Sequence, residues 1–519
     1  MLMKERISAL ALASILASSP AAWAASSPSK PLLIQEPIVN GLLTSDFPSV
    51  GLFVAGEGTC TGTLIGCQTV LTAAHCVCED AAGNLLPGPQ CRNRPDLLNP
   101  SGMRVFFQHA GLFQVSSVTV NPDFLFQEKG DLAILHLASP VTGIAPTAIN
   151  TAGRPPFGTP GLIAGFGTTR RSLGDVGLKR AGQVMTGPCA SDVNGSRHVC
   201  WSFTQPVGAP GVDSDTCGGD SGGPLFIDAG AGLILAGVTS GGNSTECIPP
   251  DESWDADVFV ERAWIQSQAA GDLGTQACGG LPAAGSPEAP GPSAVTALDA
   301  AHPQFRTTLE VPPGVSRLRV TLNADHYYAN DFDLYLSAGS PPTINDADCS
   351  SESLAGLEFC EVRNPAAGTW HLLANRANGA GPLQLTATLF GSGNPNPGGP
   401  CVRDATTACL QSGRFEVKVD WRTASDQGTG KVMSFGGQRT ENDESVFWWF
   451  FNASNFEMGV KVLNGCGLGG KYWVFVSGLT DQGWTARVRD TQTGVTKTYS
   501  NAVGHLSSTS GDTAAFNCQ

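Results

Sequence analysis

Cations are scarce in this chain. Lys and Arg total 30 against 45 Asp and Glu, a formal net charge of −15 at pH 7. Binding a phosphate backbone needs clustered positive surface, so nucleic acid is excluded as a partner. The acidity instead suits solubility outside the cell. No stretch after residue 24 is long and apolar enough to cross a bilayer as a helix, so no membrane span is expected. No cysteines stand in paired C-x-x-C spacing with histidine partners, so neither structural zinc nor another metal or cofactor is expected. Charged residues are few, at 14%, while 64 Gly and 35 Pro punctuate short apolar runs. That balance disfavours long helices and favours β architecture.

What is present begins at the N-terminus. Lys4 and Arg6 precede an apolar run from Ile7 to Ala17, and Ala22-Trp23-Ala24 fits a small-x-small cleavage site. Residues 1–24 therefore read as a secretory signal, and the exported product is expected in the periplasm or medium. Sixteen cysteines agree with export, because an even count in an oxidising compartment reads as disulfides. A length of 519 residues suggests about three domains. Residues 25–37 read as a short propeptide and 38–270 as a β-rich domain closed by a helix at Val260–Ala269. A linker at 271–294, rich in Pro, Ala and Gly, leads to a second β region at 295–390. A second linker, 391–400, precedes a third β region at 401–519, with alternating runs at Phe415–Val419 and Tyr472–Val476.

Chemistry concentrates in the first region. Gly219-Asp220-Ser221-Gly222-Gly223-Pro224 sets a serine among glycines, whose backbone N–H groups can approach a substrate closely. The hexapeptide also satisfies G-x-S-x-G, but that elbow needs a helix after the serine, and Gly-Gly-Pro is poor helix material. A serine nucleophile needs a base. Thr72-Ala73-Ala74-His75-Cys76 supplies a histidine at the end of an apolar strand, Thr69 to Leu71. Asp131-Leu132-Ala133-Ile134-Leu135 supplies an acid opening an apolar strand. The order His, Asp, Ser is one of the known triad orders.

With Ile38-Val39-Asn40-Gly41 these motifs form an ordered set, and residues 38–270 resemble the trypsin/chymotrypsin family of serine proteases. The resemblance implies an all-β chain: a chymotrypsin-like double β-barrel with a short C-terminal helix, followed by two small β-sandwich-like domains. It implies a secreted serine endopeptidase acting on proteins or peptides, with His75, Asp131 and Ser221 as triad and the N–H groups of Gly219 and Ser221 as oxyanion hole. It pairs Cys60 with Cys76, Cys189 with Cys200 and Cys217 with Cys247; Cys67, Cys78, Cys91 and Cys278 stay open, Cys78–Cys91 with Cys67–Cys278 being one arrangement. It places Asp215 at the base of the primary pocket, where a carboxylate selects Arg or Lys. Ser240-Gly241-Gly242 stands at the pocket wall where the family has Ser-Trp-Gly, so weaker or broader subsite binding is expected. Asp257 aligns with a stretch that usually begins with glycine, and turned inward it would add a second acid to the pocket. Family activation pairs a freed N-terminal Ile38 with Asp220. Pro37 replaces the usual basic residue, so an activating protease of another specificity is expected.

Residues 295–390 resemble the bacterial pre-peptidase C-terminal domain, through Asp331–Leu336 and Gly368–Leu373, with Cys349 and Cys360 paired. Asp331 and Asp333 are better read as strand-edge acids than as calcium ligands. Residues 401–519 resemble a β-rich module of bacterial secreted proteins, with Cys466–Cys518 and Cys401–Cys409 as plausible bridges and Trp448 and Trp449 assigned to its core. The competing reading of the whole chain is a secreted adhesin or binding protein whose protease domain is a non-catalytic scaffold.

Overall fold

The structure is a computed structural model that describes residues 38–518 except 57, 81, 205–210, 212, 230–231, 275–277, 279–292, 312–313, 354, 392–400, 402, 424, 436–437, 492–494 and 508. The expected signal segment and propeptide, residues 1–37, lie outside the described residues.

Six strands close the first barrel: β1 (Val50–Ala55), β2 (Gly58–Leu64), β3 (Thr69–Thr72), β4 (Met103–Phe107), β5 (Gly111–Val120) and β6 (Ala133–Leu137), in the cyclic order β1-β2-β3-β6-β5-β4. Six more form a second ring: β7 (Pro160–Gly165), β8 (Arg180–Gly187), β9 (His198–Phe203), β10 (Pro224–Asp228), β11 (Leu233–Gly242) and β12 (Asp251–Asp257). Its order β7-β8-β9-β12-β11-β10 repeats that of the first, and β10 pairs with β7 to close it. Closure removes exposed strand edges. Short strands with apolar inward positions, such as the fully buried β3 (Thr69–Thr72), fill each barrel.

Helix α1 (Val258–Gln268) follows β12 directly. It starts two residues before the predicted Val260, because the Asp257 side chain caps it, Oδ1 accepting from the Val260 N–H at 3.2 Å. The chain after it stays attached to the first barrel. Leu273 bridges to Gly66, and Cys278 is bonded to Cys67. The Asp272 carboxylate accepts from Cys67 N, Gln68 N and Thr69 Oγ1 at 3.1, 2.8 and 2.7 Å. The Pro/Ala/Gly-rich segment 279–292 lies outside the described residues.

Two antiparallel four-stranded sheets follow, built from β13 (Ser293–Leu298), β14 (Gln304–Val311), β15 (Val315–Ala324), β16 (Asp331–Ala338), β17 (Cys349–Ser351), β18 (Leu357–Arg363), β19 (Gly368–Asn378) and β20 (Gly381–Gly391). One runs β13-β20-β15-β18 and the other β14-β19-β16-β17. Leu318, Leu322, Phe332, Leu334 and Trp370 fill the space between them. This sandwich abuts the two barrels through polar side chains that hydrogen-bond across the contact. Gln108 Nε2 donates to Asn323 Oδ1 (3.1 Å) and Gln384 Oε1 (3.0 Å), Thr321 Oγ1 to the Gln108 carbonyl (2.6 Å), and Arg319 Nη1 to the Thr142 carbonyl (2.6 Å). Buried polar groups tolerate such a position only when paired in this way.

Residues 401–518 form two five-stranded sheets around Phe415, Val417, Val446, Trp448, Val460, Val474 and Trp484. The aromatic run divides between the two faces of its strand. Trp448 is buried in that core, whereas Trp449 is half-buried on the other face, with Lys431 Nζ 5.0 Å from its ring centre. The period of two along a strand makes it impossible for both neighbours to point inward. Asp331 and Asp333 belong to β16. Burial pushes the Asp333 carboxyl up, and the Asp331 charge adds to the rise.

Candidate active site

A cleft of about 560 Å³ opens between the two barrels, lined among others by His75, Ser221, Gly219, Ser240 and Gly242. Three segments bring its chemistry together. β3 ends just before His75, the loop before β6 carries Asp131, and the turn before β10 carries Ser221. Cys60–Cys76 ties β2 to the histidine turn. Asp131 is fully buried and holds the histidine twice, accepting from the backbone N–H of His75 on Oδ1 at 2.9 Å and meeting Nδ1 with Oδ2 at 2.8 Å. Ser240 Oγ donates to the same Oδ2 at 2.6 Å. Burial lowers the His75 pKa, but the Asp131 charge and hydrogen bond outweigh it and leave the ring above its ordinary value. Asp131 is itself buried, which alone would raise it; His75 and Ser240 hold it below the usual carboxylate value.

The glycine loop lines the cleft and ties up some of its amides but not others. Asp220 N is taken by the Cys217 carbonyl at 2.9 Å and Gly222 N by the Thr239 carbonyl at 2.8 Å. Among the described residues, no protein acceptor takes Gly219 N or Ser221 N. Thr61 Oγ1 donates to the Gly219 carbonyl at 2.9 Å and Thr168 N to the Gly218 carbonyl at 2.8 Å, which fixes the peptide planes. Gly219 has φ +95°, and a Cβ there would lie 2.9 Å from Gly167 Cα. Gly222 has φ +80°, and its Cβ would come within 2.1 Å of Thr72 Oγ1. Side chains fit neither position.

Asp215 is fully buried, next in the chain to Thr216, which lines the cleft. Its Oδ1 accepts from Trp201 Nε1 (3.0 Å), Ser253 Oγ (2.6 Å) and Thr216 N (2.9 Å), while Oδ2 is buried with no partner. Desolvation pushes its pKa well up against these donors, and the Asp251 charge adds to the rise. The second acid of this region is Asp255, not Asp257. Asp255 is fully buried on β12, and its pKa is raised by burial and by the Asp215 charge. Asp257 turns away to cap α1 and to pair with Arg154 Nε at 2.5 Å. Ser253 and Asp255 of β12 are thus the residues near Asp215, whereas Asp257, at the end of the strand, is engaged by the helix and by Arg154.

Gly241 stands opposite Trp254 on the next strand, and a Cβ on Gly241 would lie 2.7 Å from the indole Cζ2. The space beside the glycine is thus filled from the neighbouring strand. Trp254 is only 2% exposed, so it offers no indole to the cleft. Ser240 lines the cleft and binds Asp131 as well.

Asp220 is buried, which pushes its pKa up to about 7, while Cys217 N and Gly167 N donate to its two oxygens at 2.9 and 2.8 Å. Ile38 is also fully buried, among Ile163, Val184, Trp201 and Leu225, and Val39 exchanges backbone hydrogen bonds with Asp215 at 2.8 and 3.0 Å. The eight disulfides join Cys60–Cys76, Cys67–Cys278, Cys78–Cys91, Cys189–Cys200, Cys217–Cys247, Cys349–Cys360, Cys401–Cys409 and Cys466–Cys518. Cys60, His75 and Cys76 cluster as metal ligands would, but the two sulfurs are bonded to each other and offer no thiolate. Thr61, Trp201, Ser253, Asp251 and Arg154 carry no local motif; a contact formed by strand pairing leaves no signal in the neighbouring sequence.

The family model described as Trypsin matches residues 44–264, and that of the bacterial pre-peptidase C-terminal domain matches residues 307–375. Submandibular glandular kallikrein-9 of Rattus norvegicus is 30% identical over 207 residues, covering 38% of this chain and 75% of the kallikrein. Trypsin alpha-4 of Lucilia cuprina is 30% identical over 250 residues, 45% of this chain and 87% of the trypsin. Kallikrein-2 of Homo sapiens is 28% identical over 254 residues, 45% and 90% of the two chains. With two barrels of identical strand order, a carboxylate-held histidine and a serine sharing one cleft, and these likenesses, the chain belongs to the trypsin family of serine endopeptidases.

Proposed function

We propose that the chain is a secreted endopeptidase that cleaves proteins after Arg or Lys through an acyl-enzyme, with His75, Asp131 and Ser221 as its triad. The observation that carries the specificity is the buried, unpartnered Oδ2 of Asp215. A buried carboxylate oxygen without a donor is costly, and a substrate guanidinium or ammonium supplies the missing charge and hydrogen bond.

In the first half-reaction Ser221 Oγ attacks the carbonyl carbon while His75 Nε2 takes its proton. The oxygen becomes an anion held by Gly219 N–H and Ser221 N–H. The carbon–nitrogen bond then breaks, and the imidazolium gives its proton to the departing amine. Water repeats the sequence on the ester, with His75 again as base, and regenerates Ser221 Oγ–H. Asp131 fixes the tautomer that leaves Nε2 free and stabilises the imidazolium in both halves.

Secretion is supported by the eight disulfides, which persist in oxidising compartments. Activation by cleavage before Ile38, with its new ammonium paired to Asp220, is supported by the burial of both residues. The test uses processed protein and its Ser221→Ala form on Arg-, Lys-, Phe- and Ala-ended peptide amides. Hydrolysis of the Arg and Lys amides by the first and not the second is expected. No hydrolysis by the processed protein overturns the reading, and preference for Phe or Ala overturns the role of Asp215.

A further inference from the structure

The cleft continues past the nucleophile. Beside Ser221 it is lined by Thr216, next in the chain to Asp215, with Ser240 and Gly242, and by a second set, His75, the Cys60–Cys76 bridge, Thr59, Arg171 and Gly174. The two sets are chemically distinct. The base that protonates the leaving amine must lie beside the departing nitrogen, so the portion of substrate after the scissile bond leaves along the His75 side.

That side does not end on the barrels. Tyr327, from the turn between β15 and β16 of the sandwich, places its Oη 3.0 Å from Thr59 Oγ1. Its ring is buried in the same apolar cluster as Phe166 and Val176. His326 N donates to the Val176 carbonyl at 2.8 Å, and His326 Nε2 meets the Leu173 carbonyl at 3.1 Å. Asn323 Nδ2 donates to the Gly177 carbonyl at 2.8 Å. The neighbouring Tyr328 is held edge-on by Tyr327 and His326, at ring separations of 5.7 and 6.2 Å. A Cβ on Gly174 would lie 3.9 Å from Tyr328 Oη, yet Tyr328 remains 59% exposed. Tyr327 and His326 thus set a third, exposed ring beside Gly174, which lines this side of the cleft with Thr59 and Arg171.

We propose that residues 326–328 of the sandwich complete the substrate-binding cleft, with Tyr328 contacting large apolar or aromatic side chains just after the scissile bond. This rests on the endopeptidase reading above. It gives the pre-peptidase C-terminal region a role in substrate selection by the full chain. A rigid exposed tyrosine offers a large contact surface at small entropic cost, and the docked sandwich needs no rearrangement to present it.

The test compares full-length processed protein with its Tyr328→Ala and Tyr328→Phe forms on two substrates with the same residues before the scissile bond. One is an anilide with nothing beyond it, and the other a peptide extended by Phe-containing residues. The quantity read is the ratio of kcat/KM for the peptide to that for the anilide. Loss of one aromatic contact is expected to lower this ratio about threefold to tenfold in Tyr328→Ala, with Tyr328→Phe retaining most of it. Cleavage-site profiling of a peptide library should show the matching loss of aromatic residues after the bond. An unchanged ratio in Tyr328→Ala overturns the proposal while leaving the endopeptidase reading standing. Failure of wild type to cleave the anilide overturns the endopeptidase reading itself. Tyr328 is an exposed side chain, so its truncation leaves the fold intact, and unfolding can be checked by the melting temperature.

Discussion

Ser240 Oγ donates a 2.6 Å hydrogen bond to the same carboxylate oxygen of Asp131 that meets His75 Nδ1. A residue that sequence assigned to the pocket wall is therefore also a support for the base. Replacing it, Ser240→Ala, leaves that oxygen one donor short in a buried setting. A hydrogen bond to a charged group is worth about 1.5–3 kcal/mol, so kcat should fall by roughly tenfold or more. The acid limb of kcat/KM should also move to higher pH, because a carboxylate with one donor fewer holds the imidazolium more strongly. A pH–rate profile measures both effects.

Asp215→Asn removes the buried charge. For Arg- and Lys-ended amides kcat/KM should drop on the order of 10³-fold, as when a site built for a polar partner loses it. The wild type carries a pH signature of its own. The Asp215 pKa is raised by burial, so the Arg-to-Phe selectivity ratio should grow as pH rises through that raised value. A ratio flat with pH contradicts the pairing of Asp215 with a substrate cation.

Asp220 with a pKa near 7 is neutral below that pH and costly to ionise above it. A freed Ile38 ammonium would offset that cost. An amine paired in this way has its pKa raised above the usual 7.7–8.0 of a chain terminus. Its contribution is full below the unfolded value and is lost as pH rises through the folded one. The processed protein should therefore melt higher than the unprocessed one at neutral pH, and this gap should close at alkaline pH. Asp220→Asn should abolish the gap, as thermal melts of the two forms would show.

Gly222→Ala should destroy activity and lower stability together. Its Cβ would lie 2.1 Å from Thr72 Oγ1 and 2.4 Å from the Thr61 carbonyl oxygen at φ +80°, and the backbone there cannot give way. A loss of more than about 100-fold in kcat is expected from displacing Ser221 and its amide. Active-site titration with an organophosphate reads the displacement directly.

His109 lies at the buried contact with the sandwich, its ring nitrogens meeting Thr388 Oγ1 at 2.8 Å and the Ser45 carbonyl at 2.6 Å. Desolvation first, then the charges of Lys179 and Arg319, hold its pKa down at about 3. The folded ring stays neutral while the unfolded ring takes a proton below about 6.5. Stability is thus lost progressively as pH falls from 6.5 toward 3. His109→Gln should flatten that part of the melting-temperature profile, whatever its effect at neutral pH.

Much of this protein is legible in the chain itself. The ordered motifs around His75, Asp131 and Ser221 indicate the reaction class, because nucleophilic catalysis leaves little freedom in the residues beside the reacting groups, and the family resemblance they carry implies the two-barrel fold. Short apolar runs between Gly and Pro announce strands, and the cysteine count announces bridges. Only tertiary structure decided which residues meet across strands. Asp255 rather than Asp257 acts on Asp215 because Asp257, at the end of β12, is drawn to the helix N-terminus and to Arg154. The buried Trp254 fills the space beside Gly241 because it stands opposite on the neighbouring strand, and no indole reaches the cleft. Trp449 leaves the core that Trp448 enters because strand side chains alternate. The approach of Tyr327 to Thr59 joins residues 268 positions apart. Local sequence fixes which side chains are available, but pairing register and domain docking set the distances between them, and those depend on contacts distant in the chain.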